Sequence, residues 1–363
     1  MQNTLTRWGI LGAADIARKN WLSILNSGNG IVTAVASRKL DSAARFIDTC
    51  QAQVPFPVKP RPLGSYAELI SAPDIDAVYI PLPTALRKEW VLAAAKAGKH
   101  VICEKPCAFT AADLEDMLAA CRRHKVQFMD GVMFMHSRRL ETLRQAIPEN
   151  VGRMRRLTLA FSFGADKSFF TSNIRAQSAL EPHGCVGDLG WYCIRFALWA
   201  AGWKMPRQCA GRLLAQTKPR RGSAPVPTEF SGELLFDGGL SAGFYVSFIT
   251  ELQQLAQISG DRGLLRLDDF VLPRFGSELE FETCNPSYTK RGCFFNLEPG
   301  LRRWTTREYS NSHPCAQESN MFRNFAAQIQ SGKLNKEWPE IALQTQRVLD
   351  ACLESAKVGQ AIP

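Results

Sequence analysis

The fold is decided by one stretch near the start of the chain, Thr6-Arg7-Trp8-Gly9-Ile10-Leu11-Gly12-Ala13-Ala14-Asp15-Ile16-Ala17. Its apolar part, Thr6–Leu11, predicts a buried strand, and a helical pattern follows directly. Gly12 permits a tight turn between the two, while Ala14 and Ala17 are small enough for a pyrophosphate to approach the N-terminus of the helix. The stretch predicts a dinucleotide-binding turn, with alanine at the second glycine position of the usual fingerprint. An ordinary tight turn between strand and helix is the alternative.

Downstream of this turn, short apolar runs alternate with helical patterns. The runs Ile31–Ala36, Ala77–Ile80 and His100–Cys103 predict further strands of the series. Strands that alternate with helices form parallel sheets, because each parallel connection needs a crossover. We predict a Rossmann α/β domain over residues 1–136.

The pattern changes from about Gly152 onward. Alternating apolar and polar residues, as in Ser241–Ser247, predict a series of strands, and one long helix at about 187–201 interrupts them. We predict an α+β domain with a large, open, mainly antiparallel sheet over residues 137–363, in which a C-terminal helix at about 340–356 packs back on the first domain.

The end of the second predicted strand bears on the choice of dinucleotide. NAD-binding domains usually carry Asp or Glu there for the ribose 2′-hydroxyl, whereas this chain reads Ser37-Arg38-Lys39. The Ser37 hydroxyl and the planar Arg38 guanidinium suit a 2′-phosphate, and Lys39 adds positive charge. The sequence favours NADP over NAD, with a solvated basic turn as the alternative.

Two further segments supply candidate catalytic groups. Glu104-Lys105-Pro106 directly follows a predicted strand, where the stiff proline would project the lysine ammonium towards the nicotinamide. On the helix at about 187–201, Asp188, Tyr192 and Arg195 are spaced i, i+4 and i+7 and so share one face. Lys105 and these three groups are predicted to line one pocket.

Together these motifs are specific, and the chain resembles the glucose–fructose oxidoreductase / inositol dehydrogenase / rhizopine catabolism (Gfo/Idh/MocA) family over nearly its full length. The segments 128–133 and 187–195 are similar to its plant-type branch, which is close to the dihydrodiol and D-xylose dehydrogenases. The resemblance implies an NADP-dependent oxidoreductase that moves hydride to or from a sugar, polyol, dihydrodiol or related carbonyl compound. It also implies a homodimer or homotetramer formed through the open sheet of the second domain.

Three departures from the family pattern bear on the substrate. Tyr192 stands where the sugar dehydrogenases carry His, as in the dihydrodiol and xylose enzymes, and Arg195 stands where many members carry a second Asp. The segment that commonly reads Pro-Asn-x-x-His is Pro83-Thr84-Ala85-Leu86-Arg87 in this chain. A proton donor is retained, but the usual sugar specificity does not follow. A biliverdin-like conjugated system and a nucleotide sugar are alternative substrates.

The predicted mechanism makes Tyr192 the acid/base and Lys105 its electrostatic partner. A free tyrosine has a pKa of about 10. An adjacent lysine cation would lower that value and would stabilise alkoxide charge. Asp188 would orient Lys105 or hydrogen-bond a substrate hydroxyl. The alternative is structural: Tyr192 packs between the domains and Asp188 forms an ion pair.

The residues predicted to bind the cofactor follow the predicted strands, namely Gly12, Ala14, Asp15, Ile16, Ser37, Arg38, Lys39, Pro81, Leu82, Pro83, Glu104 and Lys105. His183 and Arg195 are predicted to bind substrate, although Arg195 fits a structural ion pair with Glu181 or Asp188 equally well. A non-catalytic NADP(H)-binding sensor or scaffold is the alternative function. Such a protein would need only the cofactor-binding residues of the first domain.

Composition argues against several other classes of protein. The 363 residues carry a net charge of +10, but the basic residues are dispersed and no nucleic-acid-binding motif accompanies the densest run, Lys218-Pro219-Arg220-Arg221. Such a charge suits the attraction of phosphorylated ligands. The 11 cysteines include no Cys-x-x-Cys pair or zinc-type spacing, so neither a metal nor disulfides are predicted. No apolar stretch reaches the ~18 residues of a membrane span, and no signal peptide is recognisable. We predict a cytoplasmic protein without nucleic-acid or membrane partners.

Overall fold

The computed structural model describes residues 5–218 and 223–363, which divide into two compact units. The first unit contains the residues up to His136 together with Ala179–Pro182 and Asn311–Arg347, and the second contains the remaining described residues. The domain division into 1–136 and 137–363 stays a prediction. The compact units differ from it in placing two later segments with the first unit.

A six-stranded parallel sheet forms the centre of the first unit. Its strands are β1 (Thr6–Leu11), β2 (Gly30–Ala36), β3 (Arg61–Leu63), β4 (Ala77–Ile80), β5 (His100–Cys103) and β6 (Phe128–Asp130). Their order is β3-β2-β1-β4-β5-β6, and each neighbouring pair is parallel. The order reverses between β1 and β4, so a ligand crevice is expected outside the carboxyl ends of these strands.

Helices follow the strands of this sheet: α1 (Asp15–Ser27), α2 (Leu40–Gln53), α3 (Tyr66–Ser71), α4 (Thr84–Lys96) and α5 (Ala111–Arg123). Every residue of β4 is buried, as expected for a parallel sheet that helices cover on both faces. α5 begins with a side-chain cap, because Thr110 Oγ1 accepts a hydrogen bond from the Asp113 N–H at 3.1 Å.

An eight-stranded sheet forms the centre of the second unit. Its strands, with the exposed hairpin β14–β15, are β7 (Met154–Ser162), β8 (Gln208–Gln216), β9 (Pro227–Leu235), β10 (Ser241–Ser247), β11 (Gln253–Gly260), β12 (Leu264–Leu267), β13 (Glu278–Cys284), β14 (Ser287–Arg291), β15 (Phe294–Glu298) and β16 (Leu301–Arg307). The order is β16-β13-β12-β11-β7-β10-β9-β8. β7 and β10 pair in parallel and the other neighbours are antiparallel, which confirms the predicted fold class.

The helices of the second unit include α6 (Arg139–Asn150), α7 (Phe169–Ser172) and α8 (Trp191–Ala200). A π-helical turn, Val186–Gly190, immediately precedes α8. The long helix predicted at about 187–201 is present, but its first turn has π geometry. All residues of α8 are buried, so this helix lies inside the unit.

Two helices end the chain, α9 (Gln317–Gln330) and α10 (Glu337–Val358). α9 packs in the first unit, where the ring of Trp8 meets Phe322 edge-on with centroids 5.2 Å apart. The part of α10 up to Arg347 also belongs to the first unit, and Arg347 Nη2 donates to Glu115 Oε1 at 2.8 Å.

Within the described ranges, no helix is both long and apolar enough to cross a membrane. The same residues contain no group of three or more His, Cys, Asp or Glu side chains placed to hold a metal ion. Residues 219–221 of the predicted basic loop lie outside the described part of the chain.

Candidate active site

The predicted cofactor residues lie at the carboxyl ends of four parallel strands. The Gly12 turn follows β1, Ser37–Lys39 follows β2, Pro81–Pro83 follows β4, and Glu104 and Lys105 follow β5. Because β1 pairs with both β2 and β4, and β4 pairs with β5, these strand ends are neighbours along one edge of the sheet. The structure brings these residues together where the strand order reverses.

The turn after β1 is a position suited to glycine and leads directly into the N-terminus of α1. Gly12 has a φ of +119°, and a Cβ at this position would lie 3.1 Å from Leu82 Cδ2. Ala14 is the N-cap residue of α1. Its methyl group cannot accept a hydrogen bond, so no capping side chain at this position occupies the first N–H groups of the helix. Asp15 and Ile16 are exposed on the first turn of α1. These features fit a pyrophosphate at the helix N-terminus.

The segment after β2 presents two cations. Arg38 and Lys39 are exposed, and Ser37 is half-buried with its N–H donating to the Leu63 carbonyl at 3.1 Å. Lys39 is the N-cap residue of α2. A serine hydroxyl, a guanidinium and an ammonium next to a helix N-terminus form a site suited to a phosphate.

A buried hydrogen-bond chain holds the residue before Lys105. Asn20 Nδ2 donates to the Tyr79 hydroxyl at 2.7 Å, and that hydroxyl donates to Glu104 Oε1 at 2.6 Å. Glu104 Oε2 accepts from the Lys105 backbone N–H at 3.3 Å. Burial and the Glu104 carboxylate raise the pKa of Tyr79 well above its usual range, so the phenol stays protonated as the donor. Glu104 is thereby fixed as an anchor of the Lys105 loop.

Gly131 stands against the same carboxylate, because a Cβ at this position would lie 3.0 Å from Glu104 Oε1. Sequence reasoning missed Asn20 and Tyr79. The available signal was a tyrosine within the otherwise aliphatic strand Ala77–Ile80, since a buried phenol needs a hydrogen-bond partner.

The predicted catalytic residues of the second unit lie in and after the π-turn. Asp188 is within this turn, and its Oδ2 accepts from Arg175 Nε at 2.9 Å. Tyr192 is buried in α8 with its ring centroid 5.7 Å from that of Phe161. The His183 carbonyl accepts the Val186 N–H at 3.0 Å, at the start of the turn.

The π-turn changes the spacing assumed from the sequence. Asp188 and Tyr192 were predicted to follow α-helical geometry, whereas only Tyr192 lies in the α-helical part. Single π-turns inside helices are frequent at functional sites. Gly184, just before the turn, has a φ of +48°, and a Cβ there would lie 2.1 Å from the Pro227 carbonyl oxygen. The chain entering this turn therefore requires glycine.

Each of the two carboxylates that the sequence offers as a partner of Arg195 also contacts another residue, and the ion pair of Arg195 with either of them stays a prediction. Thr84 Oγ1 donates to Glu181 Oε2 at 2.6 Å, and Asp188 accepts from Arg175. Arg195 is buried, with its guanidinium carbon 5.9 Å from the centroid of the Trp191 ring. This burial favours a structural role for Arg195, and its substrate contact stays a prediction, as does that of His183. Arg175 was missed because its contact with Asp188 joins segments 13 positions apart across a loop.

Comparison with known proteins identifies the family. Residues 6–132 match a family model described as an oxidoreductase family with an NAD-binding Rossmann fold. Residues 140–266 match the GFO/IDH/MocA C-terminal domain. The chain belongs to the Gfo/Idh/MocA family. The predicted family and enzyme class are thus confirmed: this Gfo/Idh/MocA protein is an NAD(P)-dependent oxidoreductase.

Two relatives of this chain are named for a sugar and for a diol. The Gfo/Idh/MocA protein is 28% identical to D-xylose 1-dehydrogenase (NADP(+)) 2 of Haloferax volcanii, with 98% of each chain covered. It is 30% identical to trans-1,2-dihydrobenzene-1,2-diol dehydrogenase of Mus musculus over 74% of this chain and 76% of the relative. A 3-ketoreductase from Actinomadura kijaniata, solved with NADP and TDP-benzene, has the same fold, with a TM-score of 0.81, 24% identity and 97% and 98% coverage.

Proposed function

We propose that this protein uses NADP to transfer hydride to or from a sugar, polyol, dihydrodiol or related carbonyl compound. The observation that carries the proposal is the set of groups at one edge of the parallel sheet. These are the Gly12 turn after β1, the basic segment Ser37–Lys39 after β2 and Lys105 after β5. A relative named for NADP(+) and another named for a dihydrodiol support the cofactor and the substrate range.

Each catalytic group has a stated role. The Gly12 turn and the Ser37–Lys39 segment would hold NADP, which would supply hydride chemistry as donor in its reduced form and as acceptor in its oxidised form. Tyr192 gives or takes the proton of the substrate hydroxyl, and the Lys105 cation stabilises negative charge on that oxygen. The Glu104 carboxylate fixes the Lys105 backbone, so the ammonium approaches from a defined loop. Asp188, which holds Arg175, is proposed to hydrogen-bond a substrate hydroxyl.

The replacement Tyr192→Phe tests the acid/base assignment. Turnover should fall by about a hundredfold or more, because a positioned acid/base contributes about 10²–10⁴. NADPH affinity, measured by fluorescence titration, should be unchanged. Tyr245→Phe is the matched control, since it removes a half-buried hydroxyl that bonds Glu229 and Thr250 in the same unit. Full turnover in Tyr192→Phe would remove Tyr192 from this role.

We also propose that copies of the protein associate through the sheet of the second unit. The hairpin β14–β15, which connects β13 to the edge strand β16 of this sheet, supports this, because Phe294, Phe295 and Leu297 are 73%, 60% and 69% exposed. Light scattering after size-exclusion chromatography should show a dimer or tetramer for the wild type and a smaller species for Phe294→Ser/Phe295→Ser. A monomeric wild type would contradict the association. The cytoplasmic location remains a prediction from the sequence.

A further inference from the structure

Arg87 is a buried cation on the first turn of α4, in the first unit. Its residue exposure is 5%, so its charge is almost fully removed from water. Nε donates to the Leu82 carbonyl at 2.8 Å, and Nη1 donates to Thr84 Oγ1 at 2.8 Å and to the Pro106 carbonyl. A single guanidinium therefore joins the loop after β4 to the loop after β5.

Glu181 completes this cluster from a segment that packs in the same unit. Its Oε1 accepts the Thr84 N–H at 2.9 Å, and its Oε2 accepts the Thr84 hydroxyl at 2.6 Å. The carboxylate thus lies at the N-terminus of α4, where negative charge is favourable. Arg87 Nη2 is 3.9 Å from Glu181 Oε1, so the buried charges are paired.

The carbonyl groups that Arg87 binds are positioned to affect the site. Pro106 directly follows Lys105, and Leu82 contributes the side chain nearest to a Cβ at Gly12. Proline has no backbone N–H, so its carbonyl is the one backbone group by which position 106 can be tethered through a hydrogen bond. The planar guanidinium supplies several donors in fixed directions, which a lysine ammonium at the same place does not.

We propose that Arg87 is a positioning residue for Lys105. Its guanidinium fixes the Pro106 carbonyl relative to the Leu82 loop, and Glu104 fixes the backbone on the other side of the lysine, so the Lys105 loop is held at both ends. The proposal rests on the function proposed above only in taking Lys105 as the cation that acts on the substrate. It gives a role to Arg87, the last residue of the segment Pro83-Thr84-Ala85-Leu86-Arg87.

The test compares Arg87→Lys with Arg139→Lys. Arg139 is the matched control, because it is also a buried arginine that bonds a carboxylate and a carbonyl, those of Asp269 in the second unit. One readout is the rate of Lys105 acetylation by an amine-reactive acetyl ester, followed by mass spectrometry of the peptide. The others are kcat and KM with NADPH and the thermal midpoint.

We expect Arg87→Lys to lower kcat by about tenfold to a hundredfold, because misplacement of a catalytic group by about 1 Å costs that much. The rate of Lys105 acetylation should change severalfold. Arg139→Lys should lower the thermal midpoint comparably and leave kcat and Lys105 acetylation at wild-type values. If both variants change kcat and acetylation equally, Arg87 acts only through stability and the proposal is overturned.

Two further variants separate the possible failures. Lys105→Met tests the proposed function alone: full turnover there would refute the role of Lys105, whatever Arg87 does. If Lys105→Met is inactive while Arg87→Lys keeps wild-type kcat and acetylation, the positioning role is wrong and the function stands. Should Arg87→Lys fail to fold, Thr84→Val removes the Oγ1 bonded to Arg87 and Glu181 and should change acetylation in the same direction. Unchanged acetylation in folded Thr84→Val would also count against the proposal.

Discussion

The Asn20–Tyr79–Glu104 chain gives a quantitative test of how the Lys105 loop is held. In Tyr79→Phe the ring still fills its place, but Glu104 loses the 2.6 Å hydrogen bond and Asn20 loses its 2.7 Å acceptor. A hydrogen bond to a charged group contributes about 1.5–3 kcal/mol, and an unsatisfied buried amide costs about 1–3 kcal/mol. The two contributions add to about 2.5–6 kcal/mol, a large fraction of the stability of a domain.

Equilibrium unfolding in urea measures this loss of unfolding free energy directly. NADPH titration is the second readout and reports whether the cofactor site is still formed. The thermal midpoint should fall by roughly 2–4 °C for each kcal/mol in a unit of this size. Turnover of the folded variant should fall as well, since the anchor of Lys105 is weakened. The Tyr245 hydroxyl also bonds a carboxylate, that of Glu229, but it is half-buried and screened by water, so Tyr245→Phe should lose about 1 kcal/mol or less. A loss below about 1 kcal/mol in Tyr79→Phe, with normal turnover, would refute the view that this buried chain holds the loop.

Three other changes have defined outcomes. Arg38→Ala should weaken NADPH binding about tenfold to a hundredfold, because a charge-assisted contact of about 1.5–3 kcal/mol with the 2′-phosphate is lost. NADH binding should change little, and equal weakening of both dinucleotides would contradict the assignment of Arg38 to the 2′-phosphate. Gly12→Ala should weaken both dinucleotides, because φ is +119° and the new Cβ would lie 3.1 Å from Leu82 in the turn; unchanged affinity would show that the turn does not contact the cofactor. Burial raises the pKa of Glu308 above its usual 4.5. It outweighs the hydrogen bonds from Ser137 and the Arg138 N–H, which lower this pKa. The folded carboxyl therefore binds its proton more tightly than the unfolded one. The ionised carboxylate lowers the free energy of unfolding at neutral pH, and this loss of stability disappears as the pH falls through the raised pKa. Glu308→Gln should be more stable than the wild type at neutral pH, with the difference narrowing towards pH 4.5, and a difference independent of pH would contradict this.

The parallel sheet could be predicted from the sequence because its strands form distinct apolar segments. Runs such as Ala77–Ile80 and His100–Cys103 are buried on both faces, so they read as continuous apolar segments with helical patterns between them. The strand ends then locate the predicted cofactor residues without knowledge of any side-chain contact, because the carboxyl ends of parallel strands share one edge.

The contacts within the site could not be predicted in the same way. The bonds of Tyr79 to Glu104 and of Thr84 to Glu181 join residues 25 and 97 positions apart, and no local pattern encodes such pairs. The π-turn at Val186–Gly190 is likewise set by the packing around it, since α-helical spacing of Asp188 and Tyr192 was the natural reading of the sequence. Tertiary contacts decide both features.

The proposed activity of this protein is hydride transfer with NADPH. The most direct measurement is the change in nicotinamide absorbance on mixing the wild type, Lys105→Met and Tyr192→Phe with NADPH or NADP and a panel of aldoses, ketoses, polyols and dihydrodiols. We expect turnover of at least one compound by the wild type and a loss of about a hundredfold or more in both variants. Tight NADPH binding without turnover of any compound would contradict this expectation and would favour a non-catalytic NADP(H)-binding protein.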